Sequence, residues 1–225
     1  MAGIKQIKQG LEIAFPQDKW LLKQLDSYLE GEFSAMEAGK FYPSALGNPC
    51  DRFLYFAYNG MITTRPIEAV LQRIFDNGSY LEERMDEYFT KIGILEDREV
   101  IAKWDNPVIS GRADFLIKHE DDEKVIIELK SINSRGFTAL KKSPKDEHLI
   151  QIQLYLNILD IDKGIVLYEN KNDQKLKAFQ VRKDTKIWET VLTRCFNIMD
   201  MTEAPEKCGG NKWCQCKNVT QTGPQ

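Results

Sequence analysis

The sequence predicts a mixed α/β domain in which helices flank a central sheet. Three observations carry this. Residues 109–130, ISGRADFLIKHEDDEKVIIELK, read as two strands joined by an acidic turn, with imperfect alternation up to His119, a break at HEDDE and resumption at KVIIELK. Residues 147–160, EHLIQIQLYLNILD, read as a helix whose leucines and isoleucines mostly face a core. Residues 164–170 (GIVLYEN) and 175–183 (KLKAFQVRK) then read as two further strands, and a closing helix from Thr185 to about Met201 includes Trp188 and Cys195.

A chain of 225 residues suits one domain, or one domain with a small appendage, and is long enough to bury a sizeable core. Its hydrophobic share of 42% and charged share of 29% are those of a soluble globular protein. No apolar run reaches bilayer length, and MAGIKQIKQGLEIAF lacks the apolar region and small-residue cleavage site of a secretory signal. The expectation is a cytoplasmic protein without membrane contact, in which the Asn218-Val219-Thr220 sequon is silent. Thiols stay reduced there, so clustered cysteines bind metal more often than they pair. A formal net charge of −3 counts against nucleic-acid binding, although local basic patches matter more than the total.

The remaining elements follow in order. Residues 1–15 have little periodicity, whereas residues 16–30 read as a first helix with Trp20, Leu21, Leu25 and Leu29 on one side. Residues 31–50, rich in Gly, Pro and Ser, read as a long loop that delivers Cys50 to a short helix, DRFLYFAYNG. From Arg65 to about Ile92 the steps Leu71, Phe75, Gly78, Glu82, Met85 and Phe89 predict a long helix. Glu82 interrupts that stripe and needs a partner, either a metal ion or an arginine, unless Asn77-Gly78 bends the helix away. Residues 131–148 form a basic, partly helical stretch with Arg135, Lys141, Lys142 and Lys145, which either tracks a phosphate backbone or is a solvated surface.

The chemistry concentrates on the hairpin. A strand has a side-chain period of two, so Asp114 shares a face with Arg112 and Leu116, and Glu128 and Lys130 share one with Ile126. Paired strands would bring Asp114, Glu128 and Lys130 together. Carboxylates so collected hold a hard cation such as Mg2+ or Mn2+, and a neighbouring lysine orients water or offsets charge on a phosphate. The alternative is a hairpin with polar residues on its wet face. Of the five cysteines, Cys50 and the group Cys208, Cys214 and Cys216 sit in loops where a soft metal centre can collect them, and Cys195 reads as a buried helix residue.

Gly111-Arg112-Ala113-Asp114 followed by Glu128-Leu129-Lys130 resembles the second and third motifs of the PD-(D/E)xK nuclease superfamily. Gly78 to Glu82 resembles a RecB-like motif with glutamate in place of its histidine, and Gln151 with Tyr155 resembles the RecB-like Gln-x-x-x-Tyr. One cysteine before these motifs and three after them are similar to the iron–sulfur nucleases, which include AddB and the CRISPR-adaptation exonucleases of the fourth Cas family. Here the order is Cys-x5-Cys-x-Cys, where the family has a close pair before a more distant cysteine, so structural zinc stays open beside a [4Fe-4S] cluster. The resemblance implies a restriction-endonuclease-like core over residues 65–202, an N-terminal helical region over 1–64 and a cysteine-rich segment over 203–225.

It further implies a metal-dependent DNA exonuclease that hydrolyses phosphodiester bonds at free ends. Asp114, Glu128, the Leu129 carbonyl and Glu82 would hold the metal; Lys130 would assist; Gln151 and Tyr155 would orient the strand; and Arg112, Arg135, Lys141 and Lys142 would contact DNA. Recombination, repair and CRISPR adaptation all fit, with a helicase or recombination protein as a separate partner, since no Walker-type loop is present. The alternatives are an endonuclease of the same chemistry and a non-catalytic DNA-binding module. His119 and His148 alone provide poorly for a histidine-based hydrolase.

Overall fold

The computed structural model describes residues 19–32, 36–62, 66–208, 214 and 216. The expectations for residues 1–18, including the first residues of the N-terminal helix, and for the Asn218 sequon lie outside the described residues. The chain separates into two compact units, Met1–Ser34 with Thr64–Asn77, and Ala35–Thr63 with Gly78–Gln225.

In the smaller unit, α1 (Lys19–Leu29) forms where the apolar spacing placed it, and none of its residues is buried. Gly31–Glu32 (β1) pairs antiparallel with Pro66–Ile67 (β2). This changes two expectations. The stretch from Gly31 to Cys50 is not loop throughout, because it holds β1 and a short helix, α2 (Pro43–Leu46), which proline opens at its first turn. The long helix, α4 (Ala69–Lys91), starts four residues later than expected, because Pro66 and Ile67 are extended and paired in β2. It runs through Asn77-Gly78 without interruption.

The larger unit is built on a five-stranded sheet in the order β3 (Leu95–Asp105), β4 (Val108–Lys118), β5 (Lys124–Ile132), β6 (Lys163–Asn170) and β7 (Leu176–Arg182). All neighbours are antiparallel except β5 and β6, which are parallel and joined through α5 (Ser134–Ala139) and α6 (Asp146–Ile158). A parallel pair demands such a crossover. Strand β3 was not anticipated. It is an edge strand whose pattern is nearly all exposed, with Ala102 alone fully buried, and its charges hide the alternation that a half-buried strand shows.

Helix α6 covers one sheet face, packing Ile152, Tyr155 and Leu156 against Leu116, Ile126, Val166, Tyr168 and Val181. On the other, Leu81 and Met85 of α4 meet Phe115, Ile117, Val125, Ile127 and Leu129. The β5 alternation is therefore as expected. A third cluster joins α3 (Asp51–Tyr58) and α7 (Thr185–Met199) to Phe41, Leu46, Ile109 and Leu154. Among the described residues, no helix is long and apolar enough to cross a membrane.

Candidate active site

The site arises where the sheet splits. Ladder pairing between β4 and β5 runs from Lys118↔Lys124 only as far as Phe115↔Ile127, while β3 stays with β4 to its end and β6 stays with β5 to Asn170. Asp114 and Glu128 are the next residues on the two diverging strands. Ala113 and Leu116, three apart, lie in the same helix-facing cluster, so β4 loses strict alternation at Asp114-Phe115. Divergence frees main-chain groups, and the Asp114 carboxylate takes one up: Leu129 N–H donates to its Oδ2 at 2.6 Å.

Glu128 is 0% exposed and Lys130 Nζ lies 2.5 Å from its Oε1, yet neither carboxylate oxygen has an aligned hydrogen bond. Burial raises the Glu128 pKa to about 8, and the Asp114 charge adds to it against the pull of Lys130. Asp114 is raised by burial despite the Leu129 N–H bond, and Glu82 is raised by burial and then by Asp114. Burial works to lower Lys130, but Glu128, Asp114 and Glu82 outweigh it and raise its pKa. Three carboxyl groups here are each held above their ordinary pKa, chiefly by burial, whereas among the described residues it is Cys50, Cys208, Cys214 and Cys216 whose ligand atoms already converge closely enough to hold an ion.

A cleft of about 320 Å³ opens beside the carboxyl groups, lined by Ser79, Glu82, Glu83, Arg98, Glu99 and Arg112 together with Ala113, Asp114 and Phe115. Arg112 is exposed and sits 3.2 Å from Glu99. On the buried side, Gln151 Nε2 donates to the Tyr155 hydroxyl at 3.3 Å. The approach is close: a Cβ on Gly111 would lie 2.8 Å from Pro43 Cδ and 3.3 Å from the Tyr155 oxygen. Burial, then Glu128, keeps the Tyr155 hydroxyl protonated by pushing its pKa up. Arg135, Lys141 and Lys142 stand exposed on and just after α5, and do not line this cleft.

The other candidate centre joins the ends of the larger unit. The sulfurs of Cys50, Cys208, Cys214 and Cys216 lie within 4.8 Å of one another, Cys208 and Cys216 at 3.4 Å. Cys50 is the N-cap of α3, where its sulfur accepts from Phe53 N–H at 3.4 Å. Arg194 fastens the loop that carries it, donating to Leu46 O at 3.0 Å, Asn48 O at 2.7 Å and Asp51 Oδ1 at 2.7 Å. Arg52 donates to Pro205 O from the other side. Burial raises Cys50 to about 12. It also works to raise Cys214, but hydrogen bonds from the Cys216 backbone and from the other thiols bring that group down to about 7. Such a set can hold a thiophilic metal, whose binding would displace the remaining protons. Cys195 is buried apart from the group.

No protein-family model matches the chain. Sixty residues are 35% identical to the CRISPR-associated exonuclease Cas4 of Saccharolobus solfataricus, a match covering 27% of this chain and about a quarter (27%) of that relative's length. The crystal structure of SSO0001 superimposes with a TM-score of 0.53 over 82% of this chain and 85% of that one, at 20% identity. An alkaline exonuclease, LHK-Exo from Laribacter hongkongensis, superimposes with 0.52 over 79% and 90%, at 15% identity. The same enzyme in complex with dAMP gives 0.51 over 72% and 86%, at 17% identity.

This chain shares the fold of SSO0001 and of LHK-Exo.

Within that fold, the unanticipated strand β3 brings Arg98 and Glu99 to the cleft. Glu99 adopts a positive φ of 49°, an uncommon conformation for a side chain of its kind. Nothing in the local pattern of β3 marks either residue. Arg84 and the buried Glu169 form an ion pair between α4 and β6 that the sequence does not announce either, since the two lie on elements far apart along the chain.

Proposed function

We propose that the protein is a metal-dependent DNA exonuclease of the RecB-like type. The observation that carries this reading is Glu128, a fully buried carboxylate whose Oε1 is ion-paired with Lys130 at 2.5 Å and whose Oε2 has no hydrogen-bond partner among the described residues, beside Asp114 at the split of the sheet. The Lys130 ammonium meets one oxygen of this carboxylate, and a bound cation would compensate the other. Asp114, Glu128 and the Leu129 carbonyl hold the ion, with Glu82 as a further carboxylate from α4. A bound Mg2+ or Mn2+ supplies Lewis-acid polarisation of the scissile phosphate and a lowered pKa for water. Lys130 offsets the negative charge that grows on the phosphate, and Gln151 and Tyr155 fix the strand from α6. Arg112 binds strand phosphates at the cleft mouth, and Arg135, Lys141 and Lys142 add a weaker outer contact. The substrate is DNA with free ends, and the processes that supply such ends are recombination, repair and CRISPR adaptation.

For the four cysteines we propose a [4Fe-4S] cluster that ties the α3 region to the C-terminal segment. A specific observation favours a second reading. Tetrahedral zinc at its usual bond length sets its sulfurs about 3.8 Å apart, which the spacing of at most 4.8 Å accommodates as it stands, whereas a cubane needs the thiols to spread. Metal analysis and an absorption spectrum of anaerobically purified protein separate the two. About four irons with broad absorption near 400 nm supports the cluster, and one zinc in a colourless protein supports the alternative.

The nuclease reading is tested with Asp114→Asn and Lys130→Ala, assayed with Mn2+ on linear and covalently closed circular DNA. The expected result is degradation of linear DNA alone by the wild type and its loss in both variants. Undiminished hydrolysis by the two variants removes the mechanism, and cutting of closed circles turns the reading to an endonuclease.

A further inference from the structure

We propose that His148 contacts the substrate strand beside Lys130, on the α6 side of the sheet, as a neutral imidazole whose Nε2–H donates to a phosphate oxygen of the DNA; the proposal rests on the nuclease reading. His148 lies in the first turn of α6, three residues before Gln151 and seven before Tyr155, so the three share one helix face. Its ring packs on Tyr168, with centroids 5.5 Å apart, and Tyr168 is the ladder neighbour of Lys130 across the parallel β5–β6 pair. The imidazole thus stands beside the lysine of the Glu-x-Lys motif.

The hydrogen bonds fix which nitrogen carries the proton. Tyr168 is fully buried, and its hydroxyl oxygen accepts from the Lys145 N–H at 3.1 Å. Its own hydrogen needs an acceptor. Among the described residues that acceptor is His148 Nδ1, at 2.7 Å. The ring hydrogen therefore sits on Nε2, which lies 3.5 Å from the Glu147 carboxylate, beyond a good hydrogen bond. Burial, with the charges of Lys130 and Lys145, draws the His148 pKa down to about 3, so the ring stays neutral at physiological pH. The side chain keeps 14% of its surface exposed, enough for one edge to meet a ligand.

A backbone phosphate drawn in by Lys130 and Lys145 presents oxygen acceptors, and a neutral, oriented donor fixes the strand's register without adding charge. This separates His148 from its lysine neighbours in a measurable way. A lysine–phosphate contact releases a counterion and steepens the dependence of affinity on salt, whereas a neutral donor leaves the slope alone.

The test uses the full chain. His148→Leu is expected to raise KM for linear DNA about tenfold with a smaller change in kcat, and to leave the salt slope as in the wild type. Lys145→Ala is expected to lower that slope by about one. His148→Gln returns an N–H donor near the Nε2 position and should recover most of the loss. The chain has two histidines, so 15N-histidine spectra assign the tautomer directly. The expected spectrum has an unprotonated Nδ1 that becomes partly protonated in Tyr168→Phe, and an Nε2 signal that shifts when a DNA oligonucleotide binds in Ca2+. A protonated Nδ1 in the wild type, or a KM within twofold of wild type for His148→Leu in a chain that degrades DNA, overturns this proposal alone. A wild-type chain inert toward DNA overturns the nuclease reading and this proposal together.

Discussion

The carboxylate cleft and the thiol group are both places where the chain gathers groups that repel or resist ionisation, but they are built in opposite ways. The carboxylate site draws Asp114, Glu128 and Lys130 from one hairpin, whose two strands the Asp114–Leu129 hydrogen bond joins directly. The thiol group draws Cys50 from the N-cap of α3 and three cysteines from beyond α7, and it is held by arginines that reach between those segments. A site made locally survives loss of its ion as a strained but folded feature. One made across the chain loses a crosslink with its metal, so that metal binding and folding are there the same free energy.

The largest effect that tests this contrast is at Glu128. Glu128→Gln should lower DNA hydrolysis by about a thousandfold or more, yet raise the melting temperature of the metal-free protein at pH 8. The sign follows from linkage. The folded-state pKa, about 8, lies above the 4.5 usual for a glutamate, so the folded protein binds the extra proton across that window. Its contribution to stability is fully present below about pH 4.5 and is lost as pH rises through 8. Thermal melts of metal-free protein from pH 5 to 9 should show this decline, and the Gln variant should lack it.

Next in size is Cys50→Ala, expected to abolish metal retention at the thiol group and to lower the melting temperature by about 10 °C. Cys195→Ala is its control. That thiol is buried but outside the group, so the variant should keep its full metal content and lose only about 1 kcal/mol to the small cavity. Equal metal loss in both variants would erase the distinction between the two kinds of site.

Gly47→Ala joins the two regions. The added Cβ would lie 2.4 Å from the Glu147 carbonyl oxygen, a backbone atom at the start of α6 that cannot swing aside. A cost of about 1–3 kcal/mol is expected, together with a higher KM for DNA as the helix bearing Gln151 and Tyr155 shifts. A drop in melting temperature with unchanged KM would show that the Cys50 loop and the cleft are mechanically separate. The smallest effect is expected at Lys141 and Lys142, exposed and outside the cleft lining. Replacing either with alanine should change affinity about twofold at low salt and not measurably at high salt.

What the sequence disclosed follows the same divide. The hairpin, α6, β6, β7 and α7 could be read because their signals are local periodicities that burial on one face enforces. Asp114, Glu128 and Lys130 fall close together because they lie next to the last ladder pair of β4 and β5, a pairing that the sequence pattern indicated. Strand β3 escaped because an edge strand is selected for charge rather than alternation, and Arg98 and Glu99 escaped with it. The helix at Pro43–Leu46 was hidden within a loop-like composition, since four residues carry too little periodicity to declare themselves. The meeting of Cys50 with Cys208, Cys214 and Cys216 depends on the packing of α3 against α7. Within the sequence, their loop positions made those four cysteines a candidate group, and the resemblance to iron–sulfur nucleases implied which segments it would tie together.

The acidic turn between β4 and β5 offers a place to write on this molecule. Four ladder pairs, from Lys118↔Lys124 to Phe115↔Ile127, separate it from Asp114 and Glu128, and Glu120, Asp121 and Asp122 at its tip are exposed. The His119–Glu123 hydrogen bond, 2.8 Å, closes the turn beneath them. A dye, a short epitope or a tether inserted between Asp121 and Asp122 would hang from the turn end of the hairpin, four ladder pairs away from Asp114 and Glu128.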